Sequence, residues 1–343
     1  MQILSFFDSE TLKSAPVFPL FQCHLDTAAD NNFFQDTGFF ELIGKVSGYK
    51  PFIFIAMNSG GAVSGSLMGV IQTNGSGPKA WLSRRAIIWG GPLLAAADAL
   101  TQLQTAHSLI NALKSFAKGR AIFIEFRNFF DTSNLRPVFE AAGFEYKPHL
   151  NYLVKTDEEA AVRKRMSSNR LRQIKSSLQL GAIIAEPSSE QEVLDFYSIL
   201  QRLYREKVKK PLPGPDMFLH FRRSPLVKIF LVKHEGAIVG GIFCPIFRNR
   251  VIYEWYVCGD DGRVKGLNPS VLATWAPIEY GLRHGFDHFD FMGAGRPDED
   301  YGVRDFKARF GGEEVCFGRY ESVLNKPLYR IAKFGLRLYK KLK

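Results

Sequence analysis

Phe52-Ile-Phe-Ile-Ala-Met-Asn-Ser-Gly-Gly-Ala-Val-Ser-Gly-Ser-Leu-Met68 recurs 175 residues later as Val227-Lys-Ile-Phe-Leu-Val-Lys-His-Glu-Gly-Ala-Ile-Val-Gly-Gly-Ile-Phe243. In each copy a run of β-branched and aromatic residues meets a turn ending in Gly (Gly61, Gly236). Ala, a β-branched residue and a Gly inside the second run (Gly65, Gly240) follow, which is the pattern of a β-hairpin. A Gly inside a strand marks a bulge or a close approach of backbone. Outward from the hairpins the copies continue alike, with a strand (86–89; 251–257), a helix (about 97–116; about 269–284) and a strand (121–126; 286–292). Each then ends in a short helix and a Gly, Phe139-Glu-Ala-Ala-Gly-Phe144 and Phe306-Lys-Ala-Arg-Phe-Gly311. Agreement of successive elements in order predicts two similar α/β domains with mixed sheets, related by internal duplication.

The length agrees, since 343 residues at about 150 per domain favour two domains. The first is expected over 1–156, closed by the strand Tyr152-Leu-Val-Lys155, with Thr156-Asp-Glu-Glu159 opening the first helix of a second domain over 157–325. That helix carries Arg163, Lys164, Arg165, Arg170, Arg172 and Lys175 and reads as amphipathic and basic, either a solvated face or an anion-binding one. A further helix is expected over about 189–206, before the stiff loop Pro211-Leu-Pro-Gly-Pro215. With 46% apolar and 23% charged residues the composition is that of a globular protein, and 30 Phe point to aromatic-rich cores or clefts. The net charge of +11 attracts phosphates, nucleic acid or acidic lipid headgroups without choosing among them.

Cys23, Cys244, Cys258 and Cys316 are scattered, which indicates neither a disulfide framework nor a zinc site and suits a reduced, cytoplasmic compartment. The first residues lack the basic start of a signal peptide, and no apolar run approaches the ~18 residues of a membrane span, so association with a membrane would be peripheral.

Asn268-Pro-Ser-Val-Leu-Ala-Thr-Trp275, Gly285-Phe-Asp-His-Phe-Asp-Phe-Met-Gly293 and Tyr301-Gly-Val-Arg-Asp-Phe-Lys-Ala-Arg-Phe-Gly-Gly312 closely resemble the Fem-type aminoacyltransferases of peptidoglycan bridge synthesis. The likeness is densest over 160–322; in the first half Asn32-Phe-Phe-Gln35 and Trp89-Gly-Gly-Pro92 share it. The resemblance implies tandem domains of the GNAT acyltransferase fold, in agreement with the duplication. It also implies transfer of an amino acid from charged tRNA to an amine of a lipid- or nucleotide-linked muropeptide, with no bound cofactor. Some members carry a long helical arm in the second domain; no charged, heptad-like stretch of that kind occurs here.

Acyl transfer to an amine needs a base for the amine, a cationic or hydrogen-bonding partner for the oxyanion, and a proton for the leaving group. In the GNAT fold, the donor lies at the N-terminus of the helix after a splayed strand, here Gly259-Asp-Asp-Gly-Arg-Val-Lys-Gly-Leu-Asn268. Arg263, Gly266 and Asn268 form a degenerate version of the signature that binds the coenzyme A pyrophosphate. Asn268 is expected to cap the helix, and Pro269 at its first position has no N–H to offer, which weakens the alternative of an acyl-coenzyme A donor.

Lys307 lies in the Phe-Lys motif, where the resemblance implies a cation near the reacting carbonyl or the acceptor phosphates; complementing a helix C-terminus is the other reading. Arg304 shares its helix face, Arg309 points elsewhere, and Arg205 resembles a phosphate-contacting arginine of the family. Glu254 and Tyr256 alternate onto one face of the strand before the gap, where a base or acid would act, and Asp290 is expected to face the cleft. Neither a nucleophile elbow nor a metal-ligand pattern is present, so direct attack by the amine is expected.

The last segment, 326–343, has seven basic residues and no acid. As a helix it puts Leu328, Ile331, Ala332, Leu336, Leu338, Tyr339 and Leu342 on one arc, and Arg330, Lys333, Arg337, Lys340 and Lys341 opposite. Such a helix suits an anionic membrane surface, or packs its apolar arc on the second domain. A third class of function, a non-catalytic module binding nucleic acid or an anionic surface, fits the charge alone.

Overall fold

The strands begin with β1 (Gln2–Phe6), β2 (Tyr49–Met57), β3 (Val63–Gln72), β4 (Arg85–Trp89), β5 (Leu93–Leu94), β6 (Phe123–Arg127) and β7 (Glu145–Lys147). Then come β8 (Asn151–Lys155), β9 (Ile183–Ala185), β10 (Val227–His234), β11 (Ala237–Phe247), β12 (Val251–Tyr253), β13 (Tyr256–Gly259), β14 (His288–Asp290), β15 (Glu313–Val315) and β16 (Arg319–Val323). The computed structural model describes residues 1–75 and 77–342, with side chains described for all of these except 78, 79 and 336–342. Among the described residues the strands form two mixed sheets, ordered β1-β2-β3-β4-β6-β16-β7 with β5 on β3, and β15-β8-β14-β12-β11-β10-β9 with β13 on β11.

The duplicated hairpins share one irregularity at Gly65 and Gly240, although the partner of Gly65 is Ala56 and that of Gly240 is Val232, one residue beyond Leu231, the match of Ala56. The β2–β3 ladder shifts register directly beyond Ala56↔Gly65, and the β10–β11 ladder directly beyond Val232↔Gly240, so each mid-strand Gly marks a bulge. On their other side Gly65 pairs with Leu94 and Gly240 with Gly259. A parallel pair follows in each sheet, β4 with β6 and β12 with β14. The sheets are thus two copies of one arrangement, a mixed α/β fold as the sequence predicts.

The expected boundary differs. One unit comprises Met1–Pro148 with Phe317–Lys343, the other His149–Cys316. The strand expected to close the first domain, β8, instead lies between β14 and β15 of the second sheet, while β16 takes the corresponding place beside β6 in the first. The C-terminal segment therefore belongs to the first unit, not to the second. In its helix Lys326–Leu342, Leu328, Tyr329 and Ala332 are half-buried, whereas Ile331 is exposed. Leu336, Leu338, Tyr339, Leu342, Arg337, Lys340 and Lys341 fall outside the described side chains.

Packing follows from local sequence. In the first unit Asp98 caps the helix Ala99–Ala117 by accepting from the Thr101 N–H at 3.0 Å. Ala106, Leu109, Ile110, Leu113 and Ala117 recur at helical spacing and bury against the sheet. The Phe-rich composition is spent on ring contacts, among them Phe126–Phe139 at 4.9 Å and Phe139–Tyr320 stacked at 3.9 Å, the latter ring supplied by β16. In the second unit the expected basic helix is two, Glu159–Arg165 and Ser168–Gln179, because the Ser167 side chain caps a new start. Arg170 does not join a basic face. It is buried, with its guanidinium 4.1 Å from the Phe306 ring centre, and burial lowers its pKa to about 10.

In the first unit, the gap between β4 and β5 is closed by side-chain amides. Gln35 donates to Met68 O (2.9 Å) and Trp89 O (2.8 Å) and accepts from Met68 N (2.9 Å), acting as a peptide group where neither strand reaches β3. Asn32 donates to Gly90 O at 2.7 Å. The two similar motifs of the first half thus meet at one place. Gln35→Leu strips partners from three buried backbone groups, and a loss of about 2–4 kcal/mol is expected from the denaturant midpoint. A change within about 0.5 kcal/mol, usual for surface substitutions, would refute that role.

Candidate active site

In the second unit the same gap carries charge. β12 ends at Tyr253 and β13 starts at Tyr256; between them Glu254 N–H donates to Asp290 O (2.8 Å) and Trp255 N–H to Phe243 O (3.1 Å). The strand breaks here, so Glu254 and Tyr256 do not alternate along one regular strand as expected. Tyr256 packs among Tyr204, Phe218, Phe243 and Trp255. Glu254 turns into the protein, 6% exposed, with Oε1 2.8 Å from Lys307 Nζ. Its Oε2 is buried without a hydrogen-bond partner among the described residues.

Lys307, 8% exposed, comes from the helix Gly302–Ala308. Its ammonium also donates to Phe291 O and Gly293 O, each at 2.8 Å. Three acceptors use its three N–H bonds, so it does not serve its own helix C-terminus. Between those carbonyls Met292 adopts φ +56°, a left-handed conformation that costs a non-Gly residue about 1–2 kcal/mol and that collects at functional sites. Asp290, 3% exposed, accepts from Asn151 Nδ2 at 2.7 Å, and Asn151 Oδ1 accepts from Gly293 N–H at 2.8 Å. Asn151 therefore fixes both Asp290 and the turn that holds Lys307. Sequence reasoning passed over it, although an Asn opening an apolar strand is itself a signal, since strands disfavour that residue.

Burial pushes the pKa of Glu254 up, with Lys307 opposing and Asp290 reinforcing the shift. Asp290 is also raised by burial, against the Asn151 and Met292 hydrogen bonds, and burial lowers His288 beside it. Two buried carboxyls thus share one ammonium, and both hold protons more tightly than carboxyls in water.

The other expected residues lie apart from this cluster. Arg304 donates to Ala294 O (3.2 Å) and Glu299 O (2.9 Å), tying down the loop before its helix. Arg309 is exposed, and Arg205 is an exposed partner of Glu206 at 3.2 Å in a π-helical turn (Tyr204–Val208). At the head of the helix Pro269–His284, Asn268 does not cap. Its Oδ1 accepts from Gln173 (3.2 Å), its Nδ2 donates to Gly266 O (2.9 Å) and its N–H to Ser177 Oγ (3.0 Å). Asp261 caps instead, accepting from Ser270 N–H at 3.1 Å, while Val271 N–H donates to Asn268 O. Arg263 is exposed and 3.6 Å from Asp260. A carboxylate thus occupies the helix terminus that would otherwise attract a pyrophosphate.

Residues 163–307 match the family described as an acetyltransferase (GNAT) domain. Aminoacyltransferase FemA of Staphylococcus aureus is 30% identical over 101 residues, covering 28% of this chain and 23% of the length of FemA. The crystal structure of FemX superposes with TM-score 0.68 at 14% identity, over 96% of this chain and 99% of that one. A tandem GNAT protein from the clavulanic acid biosynthesis pathway superposes with TM-score 0.57 at 12% identity, over 94% and 98%. At such identities the two superpositions speak for the fold. The chain is a tandem GNAT-fold protein that matches the GNAT acetyltransferase family over residues 163–307 and resembles the Fem-type aminoacyltransferases over part of its length.

Proposed function

We propose that the second unit transfers an aminoacyl group from charged tRNA to an amine of a cell-wall muropeptide, lipid- or nucleotide-linked, with Glu254 as the base. The observation that carries this reading is the buried Glu254–Lys307 pair at the strand break. The incoming amine forms its C–N bond to the ester carbonyl while Glu254 Oε2 accepts the ammonium proton. The C–O bond to the ribose then breaks, and the proton passes to the leaving oxygen. A carboxyl whose pKa lies above its ordinary value is the better base for an amine. Lys307 acts as a positioning residue, since donating to an oxyanion would require it to release one of its three acceptors.

An aminoacyl ester is preferred over a coenzyme A thioester because Asp261 and Asn268 O already take the N–H groups of the helix Pro269–His284. The net charge of +11 suits a polyanionic donor, and the partial match to FemA supports the aminoacyl class. The site is cytosol-facing in this reading. The test is transfer of labelled amino acid from charged tRNA to a muropeptide amine, run beside acetyl-coenzyme A, with loss of product in Glu254→Gln. Calorimetric titration with coenzyme A is expected to show no binding tighter than roughly millimolar. Micromolar binding, or acetyl transfer exceeding aminoacyl transfer, would move the reading to an acyl-coenzyme A N-acyltransferase.

A further inference from the structure

The helix Lys326–Leu342 lies beside the helix Gly77–Ser83 in the first unit. Among its described side chains, Leu328, Tyr329 and Ala332 are half-buried, and the Tyr329 ring meets Phe123 edge-on at 5.4 Å. A second set of apolar side chains faces away from the protein. Ile331 is 55% exposed and Phe334 64%, one turn apart, and on the neighbouring helix Trp81 is 47% exposed. Exposed neighbouring apolar groups of this size signal an interaction surface rather than chance.

The charged side chains that these two helices themselves carry have one sign. Lys326, Arg330 and Lys333 are exposed on the same helix, Arg84 lies 5.6 Å over the Trp81 ring, and the sequence 326–343 contains no acid. We propose that these two helices form a docking surface for an anionic lipid bilayer, with Trp81, Ile331 and Phe334 entering the interface and Lys326, Arg330 and Lys333 meeting the headgroups. Cations alone would suit nucleic acid equally, but branched alkyl and phenyl groups gain free energy by entering hydrocarbon and little from a phosphate backbone. Trp is the side chain most at home at the membrane–water boundary. No helix among the described residues is long and apolar enough to cross a membrane, so the attachment is peripheral. This inference stands on the first unit and is independent of the chemistry assigned to the second.

The test is co-sedimentation of the full chain with phosphatidylcholine vesicles, with and without phosphatidylglycerol. Binding is expected only with the anionic lipid, weakening as salt rises. The variant Trp81→Ser/Ile331→Ser/Phe334→Ser should bind at least about tenfold more weakly, and Lys326→Gln/Arg330→Gln/Lys333→Gln should lose the preference for phosphatidylglycerol. Phe334→Ser alone, at the most exposed of the three positions, is the control should the triple variant fail to fold, and it should still weaken binding measurably. Wild-type protein remaining in the supernatant, or apolar variants sedimenting as wild type, would overturn the proposal. So would variants that lose affinity for tRNA while keeping it for vesicles, the behaviour of a nucleic-acid surface.

Discussion

Glu254→Gln is expected to reduce turnover by about 10²–10⁴-fold, the usual contribution of a positioned general base. Gln keeps the shape and can still accept from Lys307, so the folded state should persist while the proton acceptor is gone. The pH profile gives an independent reading of the same residue. With its pKa raised by burial, Glu254 ionises above the ordinary carboxylate range, so kcat/KM of the wild type should climb through that raised value and then level. The climb should vanish in Glu254→Gln. Stability runs the other way. Between the unfolded and the raised folded pKa the native state binds the extra proton, so the contribution of Glu254 is complete below that window and is lost as pH rises across it. Asp290 adds to the same slope. A denaturant midpoint that rises with pH over this window in the wild type alone would contradict the assignment.

Lys307→Met is expected to destabilise the second unit by about 3–5 kcal/mol, because it leaves a buried carboxylate without its cation. Against the 5–15 kcal/mol that folded domains typically have, this is a large share. Adding Glu254→Leu removes the stranded charge, and replacing both members of a buried pair by apolar groups is often close to neutral. Recovery should nevertheless be partial. Phe291 O and Gly293 O lose their donor in both variants, at about 1–3 kcal/mol for each buried unsatisfied group. Equal stability of the single and double variants would show that the carbonyls, not the carboxylate, set the cost. Activity should be absent from both.

The sequence made the hairpins legible because their pairing is local, and the bulges at Gly65 and Gly240 appear in the sequence as a Gly inside each second strand. It did not reveal which sheet receives Tyr152-Leu-Val-Lys155. A short strand flanked by turns carries its hydrophobic pattern but no address, and its partners β14 and β15 lie more than 130 residues along the chain. Of the site, the residues brought together are Lys307, Glu254 and Asp290; Glu254 stands out as a charge between two apolar runs, whereas Lys307, with Arg304 and Asp305 on its own helix, is marked by the family motif, and Asp290, after Asp287 and His288, by its alternation along the strand. The arginines and the loop around Arg263 resolve into surface pairs and backbone ties, because the same residue types serve both purposes. Asp261 stood within the quoted loop without a role, since nothing in its neighbours distinguishes a cap from a solvated acid.

The exchange of β8 and β16 sets an order of events during synthesis. The second unit is one continuous stretch, His149–Cys316, and every strand of its sheet is available once that stretch has left the ribosome. The first unit emerges earlier yet cannot complete its sheet, since β16 must insert between β6 and β7 and arrives last. Until then β6 presents an open edge, with the core beside it lacking the Tyr320 ring that stacks on Phe139. An unpaired edge over an unfinished core is the condition in which nascent chains recruit chaperones or pair wrongly. The amino-terminal half of this protein is therefore the last to fold, reversing the usual sequence in which domains mature as they are made.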